Sequence, residues 1–102
     1  MSWHPVLEAA KLGDGEIAQG EAAGESVALY RVGDKVYATQ ELCTHAYVSL
    51  VDGYLEGTSV ECPVHQARFD ITTGKVLDPP ANCDLKTYPV KIENGTIYVE
   101  VP

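Results

Sequence analysis

The sequence predicts an all-β domain, a small antiparallel sandwich or barrel, and three observations carry that prediction. Apolar residues alternate over strand-length runs, as at Ile97, Val99 and Val101, which share one face at a period of two. Two-residue hairpin signals, Gly33-Asp34 and Asn94-Gly95, sit between such runs. No segment shows a helical period of 3.6. Many short strands leave many unpaired edges, and closure into a sandwich or barrel is the usual way to hide them.

Taken in order, Trp3 to Ala10 reads as a short strand or extended arm, because Pro5 keeps His4 out of a helix. His4 stands alone and receives no role. Gly13, Gly15 and Gly20 punctuate the next stretch, giving a turn and a short strand near Glu16–Ala18. Val27–Val32 and Lys35–Thr39 flank Gly33-Asp34 as a hairpin, and Gly at the first turn position favours type II′. Asp52-Gly53 marks a turn, and Thr58–Glu61 is a short strand leading to Cys62. Arg68–Ile71 is another strand, closed by a turn at Thr73-Gly74. Asp78-Pro79-Pro80-Ala81-Asn82 is stiff and irregular, since proline fixes φ and lacks a ladder donor. Tyr88–Glu93 and Thr96–Val101 close the chain as a hairpin, with Tyr88, Val90 and Ile92 expected on one face.

The 102 residues suit one domain, 1–102, and 45% hydrophobic content is enough for its core. Fifteen acidic residues against seven basic ones give a net charge of −8, which excludes a general nucleic-acid binder. No run reaches the apolar length of a membrane span and no leader pattern opens the chain, so a cytoplasmic protein is expected. The acidic charge suits brief docking on positively charged partners, although solubility alone would also account for it.

The chemistry concentrates in Cys43-Thr44-His45 and Cys62-Pro63-Val64-His65. Each stretch offers one thiolate and one imidazole, and the two together make a four-ligand metal set. C-x-H followed by C-x-x-H is the pattern in which Cys43 and Cys62 hold one iron of a [2Fe-2S] cluster and His45 and His65 the other. Zinc also takes two cysteines and two histidines, so a zinc-binding structural or interaction module stays open on residue type alone. Zinc fingers, however, group cysteine with cysteine and histidine with histidine, whereas each stretch here mixes them. Cys83 is left as a free thiol, which fits a reducing compartment.

Those two stretches, with Asp52–Gly57, Glu61–Asp70, Thr73-Gly74-Lys75 and Lys86–Val90, resemble the Rieske-type ferredoxins of bacterial aromatic-ring-hydroxylating dioxygenases. The resemblance runs from about Val27 to the C-terminus. It implies a Rieske-type fold with two cluster-binding loops at one end, about 42–48 and 61–69, and one [2Fe-2S] cluster per chain. It also implies a monomeric electron carrier rather than an enzyme, serving naphthalene- or biphenyl-type systems. Its partners would be a flavin-dependent NAD(P)H reductase and a terminal ring-hydroxylating oxygenase. Service to another oxygenase, such as a diiron monooxygenase, is the alternative. A proline-containing third loop covers the cluster in that family, and Asp78–Asn82 matches its place.

A distant relative, the Rieske subunit of respiratory bc complexes, carries a disulfide between its ligand loops and serine and tyrosine donors to cluster sulfur. The matching positions here are Val48 and Val64 for the cysteines, Ala67 for the serine and Phe69 for the tyrosine. Without those donors a reduced cluster is less stabilised, which predicts a potential near the low end of the Rieske range, roughly −150 mV. Tyr47 and Ala67 depart from the closer family, where smaller residues and glycine are commoner at these places.

Overall fold

Val27-Ala28-Leu29-Tyr30 is four apolar residues without alternation, the pattern of a strand covered on both faces, and all four are fully buried. They lie on the central strand of a computed structural model that describes residues 2–44, 48–64, 67–78 and 83–102. The described strands are β1 (Ser2–Glu8), β2 (Ile17–Ala22), β3 (Glu25–Val32), β4 (Lys35–Gln40), β5 (Tyr54–Glu56) and β6 (Ser59–Glu61). They continue as β7 (Arg68–Asp70), β8 (Val76–Asp78), β9 (Thr87–Tyr88), β10 (Val90–Glu93) and β11 (Thr96–Val101). All pair antiparallel, in three sheets of order β1-β11-β10, β2-β3-β4-β9 and β5-β6-β7-β8.

The doubly covered strand β3 divides the interior in two. Val27 and Leu29 pack with Leu12, Ala38, Ile97, Val99 and Val101, closing the first sheet on the second. Ala28 and Tyr30 face the other way, into a core with Leu50, Val60, Phe69, Ile71 and Leu85 that also contains Cys43 and Cys62. Burying a side chain such as Leu29 or Ile97 stabilises the fold by about 1.5–3 kcal/mol, so each sheet interface rests on several such residues. Among the described residues no helix is long and apolar enough to cross a membrane; the helical turns Ala9–Lys11 and Leu50–Asp52 are short 3-10 turns.

The turns follow their chemistry, with one exception. Gly33 takes φ +64° and Asp34 does not take positive φ, as a type II′ turn requires, while Asn94 and Gly95 both lie in the left-handed region, at +52° and +78°. The strand expected near Glu16–Ala18 runs on to Ala22 and pairs with β3 through a turn at Ala23-Gly24. Ala23 holds φ +51°, a conformation costing an alanine about 1–2 kcal/mol. Ala23→Asn is expected to raise stability by about 0.5–1 kcal/mol, since asparagine tolerates the left-handed region. Urea denaturation should show a higher midpoint at unchanged slope; a lower midpoint would contradict the strain assigned to Ala23.

The single face expected for Tyr88, Val90 and Ile92 is split. Tyr88 belongs to β9, pairs with Ala38 on β4 and is buried, whereas Ile92 on β10 is 43% exposed. Pro89 stands between the two strands and contributes no N–H to either ladder, so the chain changes sheets there.

Candidate metal centre

Both candidate ligand stretches are built by the same device. After β4 the chain reaches Leu42, which bridges to Ser49, and Cys43 N donates to Val48 O at 2.9 Å. After β6, Cys62 N donates to Ala67 O at 2.7 Å before β7 begins. In each case the cysteine amide bonds the carbonyl five residues on, so both excursions are closed at their base to the same length. The ends of the first loop are held further by Leu50 N to Glu41 O at 2.8 Å and by Ser49 Oγ to Glu41 Oε2 at 2.7 Å.

The two thiols come together. Cys43 and Cys62 are 1% and 0% exposed, both are free, and both lie in the same core cluster. Burial pushes the Cys62 thiol up to about 11, and the Cys43 sulfur adds to the rise while the main-chain N–H of Val64 opposes it. A site that disfavours bare thiolates in this way fits a cationic centre that neutralises them, and iron does so. The structure thus brings together the two cysteines that the spacing paired. His45, His65, Tyr47 and the Pro79–Asn82 part of the proline segment lie outside the described residues.

A strap crosses the same end of the molecule. Thr44 Oγ1 donates to Cys83 O at 2.8 Å, Val76 N to Asp84 Oδ1 at 3.0 Å, and Leu85 N to Gly74 O at 2.7 Å. Lys86 N then donates to Gln40 Oε1 at 2.8 Å. Residues 83–86 are therefore fastened one by one to Thr44 beside Cys43, to the β7–β8 end of the sheet that follows Cys62, and to the end of β4. Arg68 bonds Asp78 and so ties the end of β8 to β7. Behind Cys43, the Tyr30 hydroxyl lies 2.7 Å from Thr39 Oγ1. Burial raises the Tyr30 phenol well above its ordinary value, its bond to Thr39 opposes this, and nearby Cys43 adds to it. Thr44, Gln40, Gly53 and Gly74 escaped the reading of the sequence as contributors to this end. Only the two glycines carried a signal, as turn residues.

Comparison with known proteins agrees with this geometry. The family model for the Rieske [2Fe-2S] domain matches residues 2–89. The ferredoxin component of the naphthalene 1,2-dioxygenase system of Pseudomonas putida is 42% identical over 101 residues, covering 99% of this chain and 97% of that protein. The ferredoxin component of the naphthalene 1,2-dioxygenase/salicylate 5-hydroxylase systems of Ralstonia sp. is 46% identical over 98 residues, covering 93% and 94%. Among solved structures, a chain in the complex of reduced oxygenase and oxidised ferredoxin in carbazole 1,9a-dioxygenase superposes with a TM-score of 0.88. It is 37% identical, with 95% of this chain and 91% of that chain covered.

Proposed function

This chain belongs to the Rieske [2Fe-2S] domain family, and from that premise we propose that it is the ferredoxin of an aromatic-ring-hydroxylating dioxygenase system. The observation that carries the reading is the convergence of two buried thiols in one core, each delivered by a loop closed in the same way. A bound [2Fe-2S] cluster supplies a site that accepts and returns one electron at a time. Cys43 and Cys62 are its thiolate ligands, and His45 and His65 are the imidazole ligands of the second iron. The cluster-binding loops are 42–48 and 61–69. Ala67 and Phe69 are fully buried in the core that holds both cysteines and bring no hydroxyl to it, which supports a potential at the low end of the Rieske range.

The protein receives electrons from a flavin-dependent NAD(P)H reductase and delivers them to a terminal oxygenase. It works as a monomer in the cytoplasm; the exposed free thiol of Cys83 suits a reducing compartment. Its −8 charge draws it to basic partner surfaces.

The test is reconstitution with the reductase and oxygenase of a naphthalene-type system. Ring hydroxylation driven by NADH should depend on this protein. The rate of its reoxidation by oxygenase should fall about tenfold or more between 0.1 M and 1 M salt, as the Debye length shrinks from ~10 Å to ~3 Å. Reduced protein that no such oxygenase reoxidises would overturn the assignment, and a rate flat in salt would overturn charge-guided docking.

A further inference from the structure

At Gln40 the chain must leave β4 and rise to Cys43. Gln40 N donates to Lys86 O at 2.9 Å, one step beyond the Thr39–Thr87 pair of the β4–β9 ladder. The return bond of an antiparallel ladder would run from Lys86 N to Gln40 O. That carbonyl accepts from Thr39 Oγ1 at 2.8 Å. Lys86 N instead donates to the side-chain oxygen of Gln40, at 2.8 Å. The nitrogen of the same amide donates to Leu42 O at 2.9 Å, one residue before Cys43.

Both partners of the Gln40 amide are main-chain groups of fixed polarity, an N–H and a C=O, so its orientation is settled by them. The series continues inward. The single proton of Thr39 Oγ1 goes to Gln40 O, so the buried Tyr30 hydroxyl is the donor of its bond to Thr39. An ordered set of hydrogen bonds therefore leads from the core around Cys43 to the main chain that carries Cys43.

We propose that Gln40 is a positioning residue for the electron-transfer centre: its amide joins the Leu42 carbonyl to the Lys86 N–H and holds the first ligand loop against residues 83–86. The proposal rests on the reading of Cys43 as a cluster ligand. A glutamate at this place keeps an acceptor for Lys86 N–H but sets a second acceptor against Leu42 O. A methionine keeps the length and bulk and loses both bonds. Both bonds act at the base of the loop that carries Cys43, so their loss would loosen the main chain there.

The test uses the holoprotein, with Gln40→Met, Gln40→Glu and wild type each challenged by an iron chelator in native buffer. Bleaching of the visible absorbance should be about tenfold faster in Gln40→Met, the scale of two neutral hydrogen bonds lost, and intermediate in Gln40→Glu. The electron-resonance lines should broaden in the same order, as the ligand geometry spreads, while the urea midpoint of the whole fold changes little. Bleaching within twofold of wild type in both variants, or faster bleaching that merely follows a lowered urea midpoint, would overturn the proposal. Wild-type protein without any two-iron centre would overturn the ligand reading instead.

Discussion

Cys62→Ala is expected to abolish the two-iron centre while the protein still folds. Anaerobically purified wild type should be red-brown, with about two irons and two acid-labile sulfides per chain and the low-average-g electron-resonance signal of a histidine-ligated centre. Cys43 and Cys62 would hold the cluster together, and the substitution would leave Cys43 as the one buried thiol there. Cys62 is fully buried and its neighbour Cys43 nearly so, which leaves no third cysteine within the same core. Cys83→Ala is the control, since that thiol is exposed and contributes only its main-chain carbonyl to Thr44. The core formed by Leu29, Ile97 and Val99 is separate, so the circular dichroism of the strands should persist. Iron and sulfide retained in Cys62→Ala, or stoichiometric zinc in wild type grown with ample iron, would refute the ligand assignment.

The second large effect comes from two glycines without room for a side chain. A methyl group on Gly53 would lie 2.3 Å from Glu61 O, on the strand end that delivers Cys62. One on Gly74 would lie 2.2 Å from Leu85 O, and Gly74 also holds φ +81°. Both obstacles are main chain, so the sheet or the strap would have to shift. Overpacking at ~1–3 kcal/mol together with a left-handed alanine at ~1–2 kcal/mol gives about 3–4 kcal/mol for Gly74→Ala. Gly53→Ala bears only the first part, about 2–3 kcal/mol. Gly57→Ala supplies the comparison: its φ is +57° with nothing within 4 Å, so only the conformational cost of about 1 kcal/mol applies. Urea titration of all three measures the difference. Equal losses at positions 53, 57 and 74 would show that the close approaches are not real constraints.

How far the sequence disclosed this arrangement depended on whether side-chain type or main-chain geometry set each part. The cysteine pair was visible because metal chemistry demands particular residues at particular spacings, and the Gly33-Asp34 and Asn94-Gly95 hairpins were visible because their turns demand positive φ. The Ala23-Gly24 turn was not, since alanine is a poor residue for the conformation it holds there. Strands β5, β8 and β9 have only two or three residues each, too few to display a period of two. The strap 83–86 left almost no trace, because most of its bonds engage main-chain groups that every residue possesses. Gln40 is an ordinary polar residue at a strand end until its two partners are known.

The antiparallel pairing of β4 with β9 has a consequence for how the molecule is assembled. Everything between these strands, residues 41–86, departs from and returns to adjacent points of one sheet. That stretch carries both candidate ligand loops and the whole of the β5–β8 sheet. The rest, β1 to β4 with β9 to β11, has its own core and closes on itself through the pairing of β1 with β11. The redox part is thus topologically an insertion into a host built from the two ends of the chain. Such a plan permits a hierarchical folding order, in which the host forms first and pins the insertion's two ends together, so that the remaining loop closure is prepaid before iron arrives. It also makes the insertion an exchangeable cassette, able to be lengthened or replaced at its tips without unpicking the host that carries it.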